Sequence, residues 1–190
     1  MKIGENLDIQ EIDTLLFGAL NVLLQSRSID KISVNEIIIQ AGISRSTFYR
    51  HYYDKYDLLN SCYEKIILKN TLFLFNKELS WFDAVCKLYK EIKDNLNLIQ
   101  NAFRSTDLNN LKNYIYTMSM EYHMSILKEN GVNVQDWKVI RSMEIHIYGT
   151  LEVTYQWVMN GMQEPIEEMI KIFNQSIPAE FKKFFASPHV

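Results

Sequence analysis

The first clear pattern in the chain is a helical one over residues 8–26. Apolar side chains recur there at alternating steps of three and four residues, which places them on one face of a helix. They are Ile9, Ile12, Leu16, Ala19 and Leu23. The pattern therefore predicts an amphipathic first helix that packs this face against the rest of a domain.

Two short helices joined by a tight turn are predicted next. Ser33 and Glu36 stand three residues apart in a capping box, which begins a second helix. Gly42 follows that helix, where the chain needs a left-handed residue, and Ser44 is suited to cap a third helix. Two short helices around such a turn have the proportions of a helix-turn-helix, whose second helix enters the major groove of DNA.

The pattern stays helical along the rest of the chain and predicts an all-α fold of about nine to ten helices. The scarcity of turn residues, with 6 glycines and 3 prolines, argues against a many-stranded sandwich or barrel. We expect a helix-turn-helix domain over residues 1–60 and a larger helical domain over residues 61–190. The further helices are expected over about 55–75, 80–103 with a break near 95–97, Asp107 to 130, 135–160, Pro165 to 174, and a short one beginning at Pro178.

Charge changes this picture only locally. The 190-residue chain has a formal net charge of −3, whereas nucleic-acid-binding proteins are often basic overall. Residues 44–55, however, contain three basic residues, Arg45, Arg50 and Lys55, and one acidic residue, Asp54. Any surface that contacts DNA is therefore expected to be small and confined to the helix-turn-helix.

Several other classes of protein find no support in the sequence. The chain has no phosphate-binding loop, nucleophile elbow or zinc-binding helix motif, so we expect neither catalysis nor a cofactor nor a metal. Two cysteines in a chain with ample apolar residues are typical of reduced thiols, and no stretch has the composition of a membrane span or a signal peptide. We therefore expect a cytoplasmic protein that does not bind a membrane.

The helix-turn-helix region resembles the TetR/AcrR family of bacterial transcriptional regulators over roughly residues 8–60. The resemblance is carried by Ala-Gly-Ile-Ser at 41–44, Thr-Phe-Tyr at 47–49, the aromatic Tyr52 and the basic Lys55, all in register. Ile38 and Ser46 depart from the family pattern, which usually has small residues at both positions. Beyond residue 60 only the layout of helices is similar.

The resemblance implies a DNA-binding regulator, and it implies which side chains contact the operator. Arg45 and Thr47 are expected to face bases, since arginine can make a bidentate contact to guanine. Tyr49 and Lys55 match positions that grip phosphate, and a serine at a helix N-terminus can add a further contact. The full set of expected DNA contacts is Ser33, Ser44, Arg45, Ser46, Thr47, Tyr49, Arg50, His51 and Lys55.

The resemblance also implies a homodimer that binds a near-palindromic operator of double-stranded DNA as a repressor, with a small apolar or aromatic inducer in the second domain. The last two long helices would form the dimer interface through Ile147, Leu151, Thr154, Tyr155, Val158, Ile166, Met169, Ile170 and Phe173. An inducer pocket would be lined by Phe82, Tyr89, Phe103, Tyr114, Tyr122, Tyr148 and Tyr155. Aromatic residues at helical spacing also suit a plain core.

Two other interpretations remain open from the sequence. The second domain would bind another protein instead of a ligand in an accessory regulator. Alternatively, the chain would be a helical enzyme or scaffold that merely carries the N-terminal unit.

Overall fold

The structure is a computed structural model that describes residues 8–65 and 81–185. The described residues form ten α-helices and no β-strand, which confirms the predicted all-α class. The helices are α1 (Ile9–Leu24), α2 (Val34–Ala41), α3 (Arg45–His51), α4 (Lys55–Tyr63), α5 (Trp81–Asp94), α6 (Leu96–Phe103), α7 (Leu111–Glu129), α8 (Trp137–Met159), α9 (Ile166–Gln175) and α10 (Lys182–Phe185).

The contacts divide the described residues into two compact units. The first contains α1 to α4 and, in addition, the segment Asn97–Leu111. The second contains α5 and α7 to α10. The sequence gives no sign that a segment so far along the chain packs with the N-terminal helices. The boundary that we expect after residue 60 stays a prediction.

The first unit has an apolar core that α1 shares with the helix-turn-helix. Its buried residues include Leu16, Leu20, Ile37, Ala41, Ile43, Phe48 and Tyr52. The face of α1 is rotated slightly from the expected one, because Ile9 is exposed and Leu24 is buried. One carboxylate enters this core: Asp13 accepts hydrogen bonds from the Tyr52 hydroxyl and the Lys65 ammonium.

The second unit is built around α8. The buried residues of its core include Leu127, Met143, Ile147, Phe181 and Phe185, which come from α7, α8 and the end of the described chain. α5 packs against α9, where the Tyr89 ring lies 5.8 Å from the Phe173 ring.

Three expected helix starts differ from the structure. α7 begins at Leu111 instead of after Asp107, because the Asp107 carboxylate accepts from the Asn109 amide at 2.8 Å and so closes a local turn. Pro165 precedes the first residue of α9 as its N-cap. The chain makes a turn at Pro178, whose carbonyl accepts from the Phe181 amide, and α10 begins only at Lys182.

The other expected boundaries agree with the structure where it describes the chain. α5 ends at Asp94 and α6 begins at Leu96, which confirms the expected break. Gly42 has a φ of +70°, so the turn after α2 uses the left-handed conformation that glycine tolerates. The second half of the expected helix over 55–75 lies outside the described residues from 66 onward.

Candidate nucleic-acid interface

Side-chain caps fix the start of α2. The Ser33 hydroxyl accepts from the Glu36 amide at 3.2 Å, and the Glu36 carboxylate accepts from the Ser33 amide at 2.8 Å. Arg27 also donates to Glu36 at 2.7 Å. Hydrogen bonds from Ser33 and Arg27 hold the pKa of the Glu36 carboxyl at about 2. Glu36 therefore stays ionised near neutral pH and caps the helix.

A second cap fixes the start of α3. The Ser44 hydroxyl accepts from the Thr47 amide at 3.0 Å and lies 2.8 Å from both the Ser46 and the Thr47 hydroxyl oxygens. The first turn of α3 is thus held in place before any ligand arrives. This arrangement presents the side chains at its exposed positions in fixed directions.

The residues expected to contact DNA fall into three groups by exposure. Ser33, Arg45, Ser46, Tyr49 and Arg50 are exposed. Ser44, His51 and Lys55 are partly buried, whereas Thr47 is buried with 3% of its surface exposed. The structure therefore brings two arginines, a tyrosine and a serine to the exposed side of α3, on a surface of about one short helix.

Thr47 lies on the inner side of α3. Its hydroxyl is next to that of Ser44 and accepts a long hydrogen bond of 3.4 Å from Arg50. Thr47 is therefore packed inside the first unit and hydrogen-bonded within α3 and to its N-cap residue. The base contact that we expect from the sequence requires an exposed side chain, and Thr47 does not present one.

Lys55 has an unexpected set of partners. Its ammonium donates to the carbonyl oxygens of Ile29, Asp30 and Ile32 at 2.9, 3.1 and 2.9 Å. An ammonium has three donors, so the three contacts use its full capacity. Lys55 thereby ties the start of α4 to the turn that precedes α2.

The same turn holds the segment Asn97–Leu111. The Asp30 carboxylate accepts from the Ser105 hydroxyl at 2.6 Å, from the Tyr56 hydroxyl at 3.0 Å and from the Thr106 amide at 3.3 Å. Burial alone would raise the pKa of Asp30, but these hydrogen bonds outweigh it and hold the pKa below its usual value. A single carboxylate therefore joins three parts of the first unit.

A buried amide makes a second attachment of this segment. Asn101 donates to the Leu24 carbonyl at the end of α1 at 2.6 Å, and it accepts from Arg104. Sequence reasoning missed both Asp30 and Asn101, because their partners lie 75 and 77 residues away along the chain. Only the polar character of Asn101 beside the apolar Ile99 and Ala102 hints at a specific partner.

Arg45 is held by residues from both helices of the turn. Its guanidinium donates to the Asn35 side-chain oxygen at 2.9 Å and lies 5.1 Å from the centre of the Tyr49 ring. Asn35 was not among the residues expected from the sequence. An exposed asparagine at the start of a helix carries no signal that distinguishes this contact from simple solvation.

The residues expected to line an inducer pocket are dispersed. Phe103 is buried in the first unit, and Tyr148 is exposed and stacks on Tyr116. Tyr89 contacts Trp157 and Phe173, while the Lys112 ammonium lies over Tyr155. The remaining three residues, Phe82, Tyr114 and Tyr122, are partly buried in the second unit.

The residues expected at a dimer interface belong to the core of the second unit. Eight of them are buried within the chain itself, and Tyr155 is partly buried. Large apolar side chains that α8 and α9 leave exposed are Trp137, Ile145, Tyr148, Val153 and Ile172. A partner chain approaching these helices would meet this second set.

Other kinds of site were sought in the described ranges. No three His, Cys, Asp or Glu side chains in 8–65 and 81–185 are grouped so that they could hold a metal ion. No helix in those ranges is long and apolar enough to span a membrane. Both cysteines are buried, and burial raises the pKa of the Cys62 thiol to about 12.

Solved structures of similar fold cover nearly the whole chain. The dihydroxyacetone kinase operon activator DhaS is 18% identical, with a TM-score of 0.57 over 93% of this chain and 98% of its own. The fatty acid degradation regulator FadR from Bacillus halodurans is 20% identical, with a TM-score of 0.56 over 92% and 98%. FadR from Bacillus subtilis in complex with stearoyl-CoA is 16% identical, with a TM-score of 0.53 over 89% and 96%. At these identities the likeness shows the fold alone.

Two family models match the sequence, and between them they cover both units. The model for "Bacterial regulatory proteins, tetR family" matches residues 18–62, and the model for "Transcriptional regulator C-terminal region" matches residues 80–179. No curated protein is similar enough in sequence to count as a match. The second match spans more than half of the chain, and the first coincides with the capped helix-turn-helix. The chain therefore belongs to the TetR family of bacterial transcriptional regulators.

Proposed function

We propose that the protein is a homodimeric repressor that binds a near-palindromic DNA operator through residues 33–55. The observation that carries this proposal is the exposed side of α3, which presents Arg45, Ser46, Tyr49 and Arg50 from a helix whose first turn is capped. A rigid helix with exposed cations at this position suits insertion into a major groove. The net charge of −3 confines DNA contact to this surface.

The contacts divide into two kinds. Arg45 reads a base, because its guanidinium can donate to two acceptors of guanine at once. The other contacts go to the DNA phosphate backbone and to neighbouring bases, since hydroxyl groups and cations bind phosphate oxygens. They are made by Ser33, Ser46, Tyr49, Arg50 and His51. Thr47, Ser44 and Lys55 support the shape of the interface through the bonds that they make within the chain.

Dimerisation uses the exposed side of α8 and α9. Ile145 and Tyr148 stand three residues apart on α8, with the exposed Gly149 beside them, and Ile172 lies on α9. Beyond its own stretch of helix, a methyl group at Gly149 would meet no described atom within 4 Å, so the position leaves room for close approach by a partner helix. Two copies joined in this way would present two recognition helices to a two-fold symmetric operator.

An inducer would bind in the second unit and change the spacing of the recognition helices. Trp157 is 4% exposed, and its indole N–H has no hydrogen-bond partner among the described residues. Its ring lies 5.5 Å from the ring of Tyr89, whose hydroxyl is hydrogen-bonded to that of Thr154. A ligand with an acceptor atom would satisfy this buried donor. FadR from Bacillus subtilis, a protein of similar fold, was solved in complex with stearoyl-CoA, whose acyl chain is apolar.

The proposal is tested by selection from a pool of random-sequence DNA duplexes with the purified full-length chain. A repressor of this kind enriches one inverted-repeat sequence, and Arg45→Ala enriches the same repeat with relaxed preference at one base pair per half-site. Gln40→Ala removes an exposed side chain that is neither a proposed DNA contact nor part of the proposed dimer interface, and as the control it should enrich the same sequence as the unaltered protein. Enrichment of no sequence by the unaltered protein contradicts the proposal.

An accessory regulator is the second candidate, because the exposed apolar residues of α8 and α9 suit another protein as well as a second copy. Sedimentation of the purified chain separates the two. A monomer that binds DNA and pairs with a different protein favours the accessory regulator. A dimer that binds DNA unaided favours the homodimeric repressor, and a chain that binds no DNA favours a helical scaffold.

A further inference from the structure

Arg45 is the exposed first residue of α3, yet its side chain is not free. One terminal nitrogen, Nη1, donates to the Asn35 side-chain oxygen at 2.9 Å. The other, Nη2, lies 3.5 Å from the Tyr49 hydroxyl, and the guanidinium carbon lies 5.1 Å from the centre of the Tyr49 ring. A residue of α2 and a residue of the next turn of α3 therefore hold the guanidinium from two directions.

These contacts leave the guanidinium able to read a base. Arginine has five N–H donors, and the two contacts use one donor on each terminal nitrogen. Three donors remain, and a bidentate contact to guanine needs two of them. The guanidinium can thus bind a base while Asn35 and Tyr49 keep it in place, and less side-chain entropy is lost on binding.

Asn35 itself is well placed for this task. It is the second residue of α2, whose start is fixed by the Ser33–Glu36 capping box. The neighbouring Glu36 is engaged with Ser33 and Arg27, so it does not compete for Arg45. Asn35 is also uncharged, so it holds the arginine without neutralising the positive charge that attracts DNA.

We propose that Asn35 is a positioning residue for DNA recognition: it holds the Arg45 guanidinium and thereby fixes which base pair this side chain reads. The inference rests on the proposed function, because it requires Arg45 to contact a base. It makes the sequence preference of the protein a property of α2 as well as α3.

The test is a double-mutant cycle of Asn35→Ala, Arg45→Ala and the double variant in the full-length protein. Binding is measured by fluorescence anisotropy on the duplex that the unaltered protein selects and on its single-base-pair variants. Arg45→Ala should weaken discrimination at one base pair by about 10-fold. Asn35→Ala should weaken discrimination at the same base pair by about 3-fold or more, and it should have no further effect in the Arg45→Ala background.

Two further variants separate positioning from other roles. Asn35→Asp keeps the acceptor oxygen and adds a negative charge, so it should lower affinity for all sequences while it retains the base preference. Gln40→Ala removes an exposed amide from the other end of α2 and should leave the preference unchanged. Alanine favours helix, so Asn35→Ala should fold normally, which circular dichroism checks.

Each outcome decides the matter. The inference is overturned if Asn35→Ala keeps the preference of the unaltered protein. It is equally overturned if Asn35→Ala acts at a different base pair or acts as strongly without Arg45, since Asn35 would then touch DNA itself. If the unaltered protein shows no sequence preference at all, the proposed function fails and this inference fails with it.

Discussion

At the scale of single residues, Lys55 ties α4 to the turn before α2 through three backbone carbonyls. Hydrogen bonds to a charged donor contribute about 1.5–3 kcal/mol each in favourable settings, and a carbonyl that loses its donor on partial burial adds a cost. The contribution of Lys55 to stability is therefore expected to exceed that of an ordinary surface lysine. Its position in the family motif is explained by this structural role before any phosphate contact is considered.

Replacing Lys55 with methionine should lower the free energy of unfolding by about 2 kcal/mol in the absence of DNA. Methionine keeps an unbranched stem of similar length but has no donor for the three carbonyls. Urea denaturation followed by circular dichroism measures the change. Lys31→Met, an exposed lysine of the same turn, is the matched control and should change stability by less than about 0.5 kcal/mol. Equal stability of the Lys55 and Lys31 variants would show that Lys55 has no such role.

His146 gives the second unit a specific response to acid. Burial, and then the neighbouring His123, lower the pKa of His146 to about 4. The Ser176 hydroxyl donates to the Phe173 carbonyl, so it accepts a hydrogen bond from Nδ1 of His146 at 2.9 Å. The unfolded chain would bind this proton with an ordinary pKa near 6.5. The contribution of neutral His146 to stability is therefore fully present above pH 6.5 and is lost as the pH falls toward 4.

Between pH 7 and pH 4.5 this histidine should remove about 2 kcal/mol from the free energy of unfolding. His146→Gln should reduce the slope of stability against pH in that window, because the substituted side chain does not titrate. Gln135→Ala, at an exposed side chain that does not titrate, should leave the slope unchanged. Denaturant titrations at several pH values measure both, and an unchanged slope for His146→Gln would refute the expected coupling.

At the scale of elements, the segment Asn97–Leu111 links the two units by chain connectivity. It packs with the helix-turn-helix, whereas α5 before it and α7 after it belong to the second unit. In the proposed function, a rearrangement of α5 or α7 on ligand binding would reach the Asp30 and Asn101 attachments through the continuous chain. A ligand shifts the DNA-binding state only if it prefers one arrangement over the other.

Replacing Asp30 with alanine should loosen this segment. The Ser105 hydroxyl, the Tyr56 hydroxyl and the Thr106 amide each lose their acceptor, so we expect a loss of about 1–2 kcal/mol and faster hydrogen exchange at Thr106. Exchange measured by NMR reports the change at that amide. Asp94→Ala removes an exposed carboxylate at the end of α5 and should leave the exchange rate unchanged. Slow exchange at Thr106 in the Asp30 variant would mean that other contacts hold the segment.

The sequence predicts those elements that local chemistry determines. The capping box of α2 and the Gly42 turn act over three or four residues, so Ser33, Glu36 and Gly42 are recognisable without the fold. The start of α7 was misplaced because Asp107 closes a turn of its own, which looks the same as a helix cap in the sequence.

The residues of α8 that we expect at a dimer interface are buried within the chain, for a different reason. The helix carries apolar side chains on both faces: Ile147 is buried and Ile145 is 76% exposed two residues earlier. Hydrophobic pattern alone cannot separate core from interface when both are apolar. Partners far apart in sequence, such as Asp30 and Ser105, leave no local signal at all.

At the scale of the whole molecule, the proposed function requires two copies of the chain on one operator. Gly149→Leu tests this requirement, since the side chain meets open space within the chain but would obstruct a close partner helix. We expect the dimer dissociation constant to rise by about 10-fold or more, while the helix itself becomes more stable by up to about 1 kcal/mol. Gly18→Leu, at another open helical glycine in α1, is the matched control. Sedimentation equilibrium measures the constants, and a dimer unaffected by Gly149→Leu would place the interface elsewhere.

The most direct test of the central claim is the binding of the purified chain to its selected duplex and to a scrambled duplex, by fluorescence anisotropy over a series of salt concentrations. A dimeric, sequence-specific regulator is expected to bind the selected duplex about 1,000-fold more tightly, with two chains per site and a steep loss of affinity with salt as counterions are released. Equal affinity for the two duplexes, or one chain per site, would contradict a dimeric sequence-specific regulator.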